Sequence, residues 1–279
     1  MIHTSRSELS AADRAFYEKN GYLTVDGLLP DDEFQALKSH FEAKLAALTS
    51  EQRPENMDVP HFTDPAIFRW LFNEKVLDMV EKLIGRDIAL FSSHFFCKRA
   101  RDGKSVPWHQ DAYYWRETIL PASDAITVWL AIDPSTAANG CMQVIPGSHR
   151  SDGMRYRDLE DEQSVFDEEL DPAHVDAGSA VPVELRPNQC SIHSALTVHG
   201  SDPNLSPMRR CGFTMRYMPT TVRLNQEVAG GKHQVYLARG EDKAGNSYAD
   251  PTRAYFDLME ERGSGQSYIG ENKGQSNPM

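Results

Sequence analysis

What most constrains this chain is a change of texture near residue 88. Before it, apolar residues recur at helical spacing; after it, the chain breaks into short extended runs separated by Gly, Pro and Asn. Residues 89–98, 126–132, 140–145, 181–185, 189–193 and 210–218 each read as a strand. In the first of them, Leu90, Ser92, His94, Phe96 and Lys98 alternate onto one face. Many short strands without intervening helices exclude a parallel α/β sheet and predict a mainly β sandwich or barrel with flanking helices.

The N-terminal portion supplies those helices. Residues 10–19 predict a helix stopped by Asn20-Gly21, with an extended segment over 22–25. A second helix opens at Pro30, where Asp31, Asp32 and Glu33 suit the positive end of the helix dipole. Phe34, Leu37, Phe41, Leu45 and Leu48 mark its buried face. A third, over 73–84, turns Val76, Val80 and Leu83 inward and ends at Gly85. No linker or repeat interrupts the chain, so 1–279 reads as one domain, with a mostly helical part over 1–87 packed on the β portion. Residues 158–176 hold nine acidic side chains and no Lys or Arg, and read either as a lid or as a solvated loop. The Gly-, Ser- and Asn-rich segment 263–279 predicts poor order.

Charge and cysteine content narrow the function. Against 41 acidic residues stand 29 basic ones, a net charge of −12 that argues against nucleic acid or an anionic membrane as partner. No run approaches the roughly 20 apolar residues that span a bilayer, and the first residues lack a secretory apolar core, so a cytoplasmic location is expected. Cys97, Cys141, Cys190 and Cys211 are scattered, implying neither a structural zinc site nor a disulfide. Asn204-Leu205-Ser206 reads as a turn rather than a glycosylation site, and His233 as a surface residue. Oligomeric state is not legible.

The chemistry is concentrated in His109-Gln110-Asp111 and the distant His199. Residues at i and i+2 of an extended segment point the same way, so His109 and Asp111 can face one metal. Two histidines and one carboxylate form the facial triad of non-haem Fe(II) oxygenases. Arg210 shares a predicted strand face with the polar-pocket side chains Gly212, Thr214 and Arg216, whereas Arg209 falls with Cys211, Phe213 and Met215. Either arginine can form a two-pronged pair with a carboxylate; the alternation favours Arg210 inside. His193, six residues before His199, reads as a pocket group or a structural histidine.

His109-Gln110-Asp111, Trp129-Leu130-Ala131, Asn139-Gly140-Cys141, Pro146-Gly147-Ser148-His149, His199-Gly200-Ser201 and Asn204-x-Ser206 together resemble the phytanoyl-CoA dioxygenase family of Fe(II)/2-oxoglutarate oxygenases. The resemblance runs from Phe16 to Met218. It implies a double-stranded β-helix, a cupin-like jelly roll. It also implies iron held by His109, Asp111 and His199, and 2-oxoglutarate anchored by Arg210 with help from Lys98, Trp129 and Ser201. His94 shares the face of Lys98 and could line the same pocket. Tyr113, Trp115, His193 and Arg216 are candidates for the substrate pocket. The implied reaction uses O2, converts 2-oxoglutarate to succinate and CO2, and hydroxylates an unactivated C–H of a small molecule. Related halogenases lack the carboxylate ligand, so Asp111 points to hydroxylation. Arg99, Arg101 and Lys104 suit an anion and the acidic insertion an amine; a zwitterion such as an aminoalkylphosphonate meets both. Two other classes are a 2-oxoglutarate-independent cupin dioxygenase, with no need of Arg210, and a non-catalytic metal-binding barrel.

Overall fold

The computed structural model describes residues 9–151, 154–162 and 164–262. The segment 263–279 lies outside them. Ser10 and Asp13 exchange hydrogen bonds in a capping box at the start of helix Ala11–Asn20. Gly21, at φ 79°, ends it in the left-handed region and sends the chain straight into strand Tyr22–Val25. Helix Asp31–Ala46 buries Phe34, Leu37 and Phe41, while Leu45 is only partly covered and Leu48 lies past its end. Asn73 caps helix Glu74–Ile84 through Lys75 N–H, and Val76, Leu77, Met79 and Val80 form its buried face.

Two antiparallel sheets face each other without closing into a barrel, the layout of a double-stranded β-helix. The larger runs Tyr22–Val25, Cys190–Ser194, Ile126–Ala131, Arg210–Pro219, Ile88–Lys98, Tyr236–Arg239. The smaller runs Val181–Pro182, Gln143–Val144, His199–Ser201, Val106–His109. One face of the larger sheet carries Phe95, Cys97, Cys211, Phe213 and Met215 into the apolar core shared with the helices. The other carries His94, Trp129, Arg210, Thr214 and Arg216 toward the smaller sheet and lines a cavity of about 280 Å³. Period-two alternation is what lets one strand serve both a dry core and a polar pocket.

The alternation breaks at one point. Arg216 pairs with Ser92 but Tyr217 pairs with Leu90, leaving Phe91 as an unpaired bulge residue. Leu90 is thereby thrown onto the helix-side core, away from the face of Ser92, His94, Phe96 and Lys98 that the sequence assigned to it. A second correction concerns the cysteines. Cys97 and Cys211 are register partners, 114 residues apart in sequence, and are joined as a disulfide; Cys141 and Cys190 are free and buried. Register across so long a separation is not readable from spacing. His233, expected at the surface, is buried against the carbonyl of Phe91. Asn204 does organise a turn, its amide donating to Arg99 O and Met208 O. Among the described residues no helix is long and apolar enough to cross a membrane.

Candidate metal centre and its cavity

His109 ends strand Val106–His109, Gln110 stays extended, and Asp111 opens the short helix Asp111–Trp115. His199 starts the neighbouring strand and is the register partner of His109. One ligand atom from each of His109, Asp111 and His199 lies within 4.8 Å of the others, and all three side chains are buried. Asp111 Oδ1 is 3.5 Å from His109 Nε2 and 3.9 Å from His199 Nε2. Each ring turns its Nδ1 to a main-chain carbonyl two residues upstream, His109 to Pro107 O at 2.8 Å and His199 to Thr197 O at 2.9 Å. A carbonyl can only accept, so Nδ1 carries the proton and Nε2 presents its lone pair. Burial, reinforced by the neighbouring imidazoles, holds His199 well below its usual pKa and therefore neutral. Burial alone would raise the Asp111 carboxyl, but the surrounding His109, His193, His199 and Arg216 outweigh it and keep it ionised. Its Oδ2 accepts from Thr127 Oγ1 at 2.8 Å. Two imidazoles held through Nδ1 with Nε2 facing inward, and an ionised carboxylate, converge on one point as the donor set for Fe(II), and the cavity side of that point is open.

Arg210 is 2% exposed, with Nε and Nη1 lacking a hydrogen-bond partner among the described residues, and its guanidinium lies 4.7 Å from the Trp129 ring centroid. Burial pulls its pKa down to about 10. Arg209 points the other way, donating to Asp133 at 2.7 Å and to Glu42 at 3.0 Å. The indole of Trp129 occupies the space over Gly212: a Cβ there would sit 2.1 Å from Trp129 Cζ2. Gly212→Ala is therefore expected to displace the ring that backs Arg210, with an overpacking cost of about 1–3 kcal/mol. Thermal unfolding checks this; an unchanged Tm would show that the indole moves freely.

His94, His193, Ser201 and Arg216 also line the cavity. His94 Nε2 donates to Glu55 O at 2.6 Å, the acceptor fixing the proton there. Lys98 does not line it. Its Nζ donates to Ser201 Oγ and Asp202 O, both at 2.6 Å, so it stands behind Ser201. Burial, with Arg210 adding repulsion, lowers Lys98 to about 6. Of the basic cluster, only Lys104 reaches the cavity.

The aromatic expectation needs correcting. Tyr113 stacks on Tyr156 and donates to Glu168, and Trp115 lies in the core against Phe91; neither lines the cavity, whereas Tyr114 does. Asp111–Trp115 is a helical turn, in which the residue two further on, Tyr113, is turned away from Asp111 and the one three further on, Tyr114, shares its face. The acidic insertion forms hairpin Tyr156–Asp158/Glu168–Leu170, whose apex lays Phe166 edge-on against His109 at 5.0 Å and near Tyr114 at 4.7 Å. Thr127 and Phe166 were missed from the sequence, and Tyr114 was passed over for its neighbours Tyr113 and Trp115. Thr127 was detectable as a polar residue in an otherwise apolar strand, and Phe166 as an aromatic alone in an acidic run.

A buried two-histidine, one-carboxylate cluster between the sheets of a double-stranded β-helix, with an uncompensated arginine on its floor, defines the Fe(II)/2-oxoglutarate-dependent dioxygenases. Residues 17–212 match the family described as Phytanoyl-CoA dioxygenase (PhyH), and the chain belongs to that family. It is 30% identical over 177 residues to a probable alpha-ketoglutarate-dependent hypophosphite dioxygenase of Stutzerimonas stutzeri, covering 61% of this chain and 58% of that one. With an ectoine dioxygenase of Bordetella parapertussis it shares 25% identity, covering 78% of each. Among solved structures it superposes on the apo non-heme monooxygenase ThoJ with a TM-score of 0.69 and 26% identity, covering 90% of this chain and 94% of that one. Iron and 2-oxoglutarate are the cofactor and co-substrate of this enzyme class.

Proposed function

We propose that the chain hydroxylates an unactivated C–H of a small charged metabolite, with His109, Asp111 and His199 as iron ligands and Arg210 as the anchor of 2-oxoglutarate. The observation that carries this is the pair of convergent Nε2 lone pairs and ionised Asp111 beside a buried guanidinium that has no counter-ion among the described residues. An isolated buried charge is costly, so Arg210 is built to receive an anion. A carboxylate set between its two free N–H edges restores that balance bidentately. Trp129 supports the guanidinium from one side, and Ser201, held by Lys98, offers a hydroxyl on the wall.

When bound, iron supplies the oxidation: 2-oxoglutarate, O2 and R–H become succinate, CO2 and R–OH. The protein's own work is positioning and exclusion. Thr127 fixes the rotamer of Asp111, the upstream carbonyls fix both histidines, and Tyr114 with Phe166 shields the cavity from water. We take the acidic hairpin as the lid. The cavity volume, at the low end for small-molecule sites, supports a compact substrate. So do relatives named for hypophosphite and ectoine, both small and charged. A zwitterion such as an aminoalkylphosphonate fits Lys104 and the lid carboxylate Asp167 together. Incubating the Fe(II) protein with 2-oxoglutarate, O2 and a panel of amino- and alkylphosphonates, amino acids and betaines tests the reading. The expected result is succinate formed in step with one product heavier by one oxygen atom. Succinate formation independent of every compound, with none oxidised, would count against a small charged substrate.

A further inference from the structure

The cavity holds a second buried guanidinium that the co-substrate does not account for. Arg216 is 8% exposed and lies on the same strand face as Arg210, six residues further along. At the rise of an extended strand this separates their backbones by roughly 20 Å, far more than a five-carbon dicarboxylate spans. Arg210 leans over Trp129, toward the middle of the sheet, whereas Arg216 leans over Trp115, at 5.5 Å from its ring. Register places Ser92, Arg216, Thr127 and His193 in one row across four strands. Thr127 in that row holds Asp111, so the row lies level with the triad, on the far side from Arg210.

Arg216 is incompletely satisfied. Nη1 donates to Ser92 Oγ at 3.2 Å, Nε has no partner, and among the described residues no carboxylate lies within ion-pair distance of it. In the same row His193 is 1% exposed; its Nε2 lies 3.5 Å from Asp111 Oδ2, and its Nδ1 has no hydrogen-bond partner among the described residues. A row that buries a cation and an imidazole, leaves donors idle and opens on the cavity is arranged for an oxyanion. From this geometry we infer that Arg216, assisted by Ser92 and His193, binds the anionic group of the primary substrate, a carboxylate or phosphonate. The C–H to be oxidised is thereby placed between that group and the triad. The inference rests on the proposed 2-oxoglutarate reading and deepens it: the cavity has two anion poles, one for each reactant, with the metal between them.

The test is calorimetric and needs no turnover. Ni(II)-loaded protein, first titrated with 2-oxoglutarate, is then titrated with propionate and, separately, with methylphosphonate, using propanamide as the uncharged control. Wild type is expected to bind one of the two anions saturably and propanamide not at all; the anion that binds identifies the substrate's oxyanion class. In Arg216→Gln that affinity falls at least tenfold, while 2-oxoglutarate affinity stays within about threefold. Arg216→Lys, which keeps the charge in case the first variant unfolds, retains part of the anion affinity. The assignment is overturned if neither anion binds wild type, or if Arg216→Gln leaves anion affinity intact. It is equally overturned if that variant weakens 2-oxoglutarate as much as the anion, since Arg216 would then serve the co-substrate. Absence of 2-oxoglutarate binding by metal-loaded wild type would instead remove the parent reading.

Discussion

Asp111→Ala is expected to abolish substrate-coupled turnover, by at least about a thousandfold, or ~4 kcal/mol of lost transition-state stabilisation. Asp111 is the only carboxylate among the triad's donors, and its removal leaves two neutral imidazoles to hold a dication. The loss should appear first as Fe(II) content after dialysis, then as substrate-dependent O2 uptake. Thr127→Val gives a graded comparison: the side chain keeps its shape but no longer donates to Asp111 Oδ2. A loss of about 10- to 100-fold in metal affinity is the usual consequence of removing such an orienting partner. Wild-type turnover by the alanine variant would overturn the ligand assignment, whatever the valine variant does.

The second large effect is that of Arg210→Met, and it has opposite signs for binding and for stability. Anaerobic titration of the Fe(II) protein with 2-oxoglutarate, followed by its visible charge-transfer band, should show affinity reduced by about 30-fold to several thousandfold. That range corresponds to the roughly 2–5 kcal/mol lost when one partner of a buried charge pair is truncated. The unliganded protein, by contrast, is expected to keep its Tm or gain a few degrees. Methionine preserves much of the packing on Trp129 while removing a buried charge that lacks a counter-ion. Arg209→Met serves as the control, because that arginine is paired with Glu42 and Asp133. Its loss should lower Tm and leave the titration within about threefold. If the Arg209 variant were the one that lost the band, the anchor would have been placed on the wrong face of the strand.

Legibility in the sequence followed the range of the physics involved. Where a signal is local and periodic it was read correctly: the Gly21 stop, the inward positions Phe34, Leu37, Phe41, Val76 and Val80 of the helices, and the alternation that turns Arg210 inward and Arg209 outward. Where the outcome depended on register it was not. A single bulge at Phe91 moves Leu90 to the other face, and no spacing rule announces which residue of an apolar run will be skipped. The same limit hid the Cys97–Cys211 pairing. Tyr113 and Trp115 were preferred to Tyr114 because they flank the metal ligands, but Asp111 starts a helical turn, and the turn brings Tyr114 to the cavity. Lys98 was placed on the correct face, yet its Nζ is engaged by Ser201 and Asp202, a distance relation that only the assembled sheets define.

The tautomers of His109 and His199 are set by the carbonyls of Pro107 and Thr197, two positions upstream on the same chain. No neighbouring side chain is needed to aim either ring. The aim of the two histidine rings is therefore insulated from sequence change on the opposing sheet and at the hairpin apex, and of the three ligands it is Asp111 that leans on that sheet, through Thr127. Substrate preference in such a scaffold can drift one side chain at a time, through positions such as Ser92 and Phe166, without passing through forms that no longer hold iron. Evolution of new specificity here demands no simultaneous repair at the metal, and an engineer can mutate the same positions one by one on that footing.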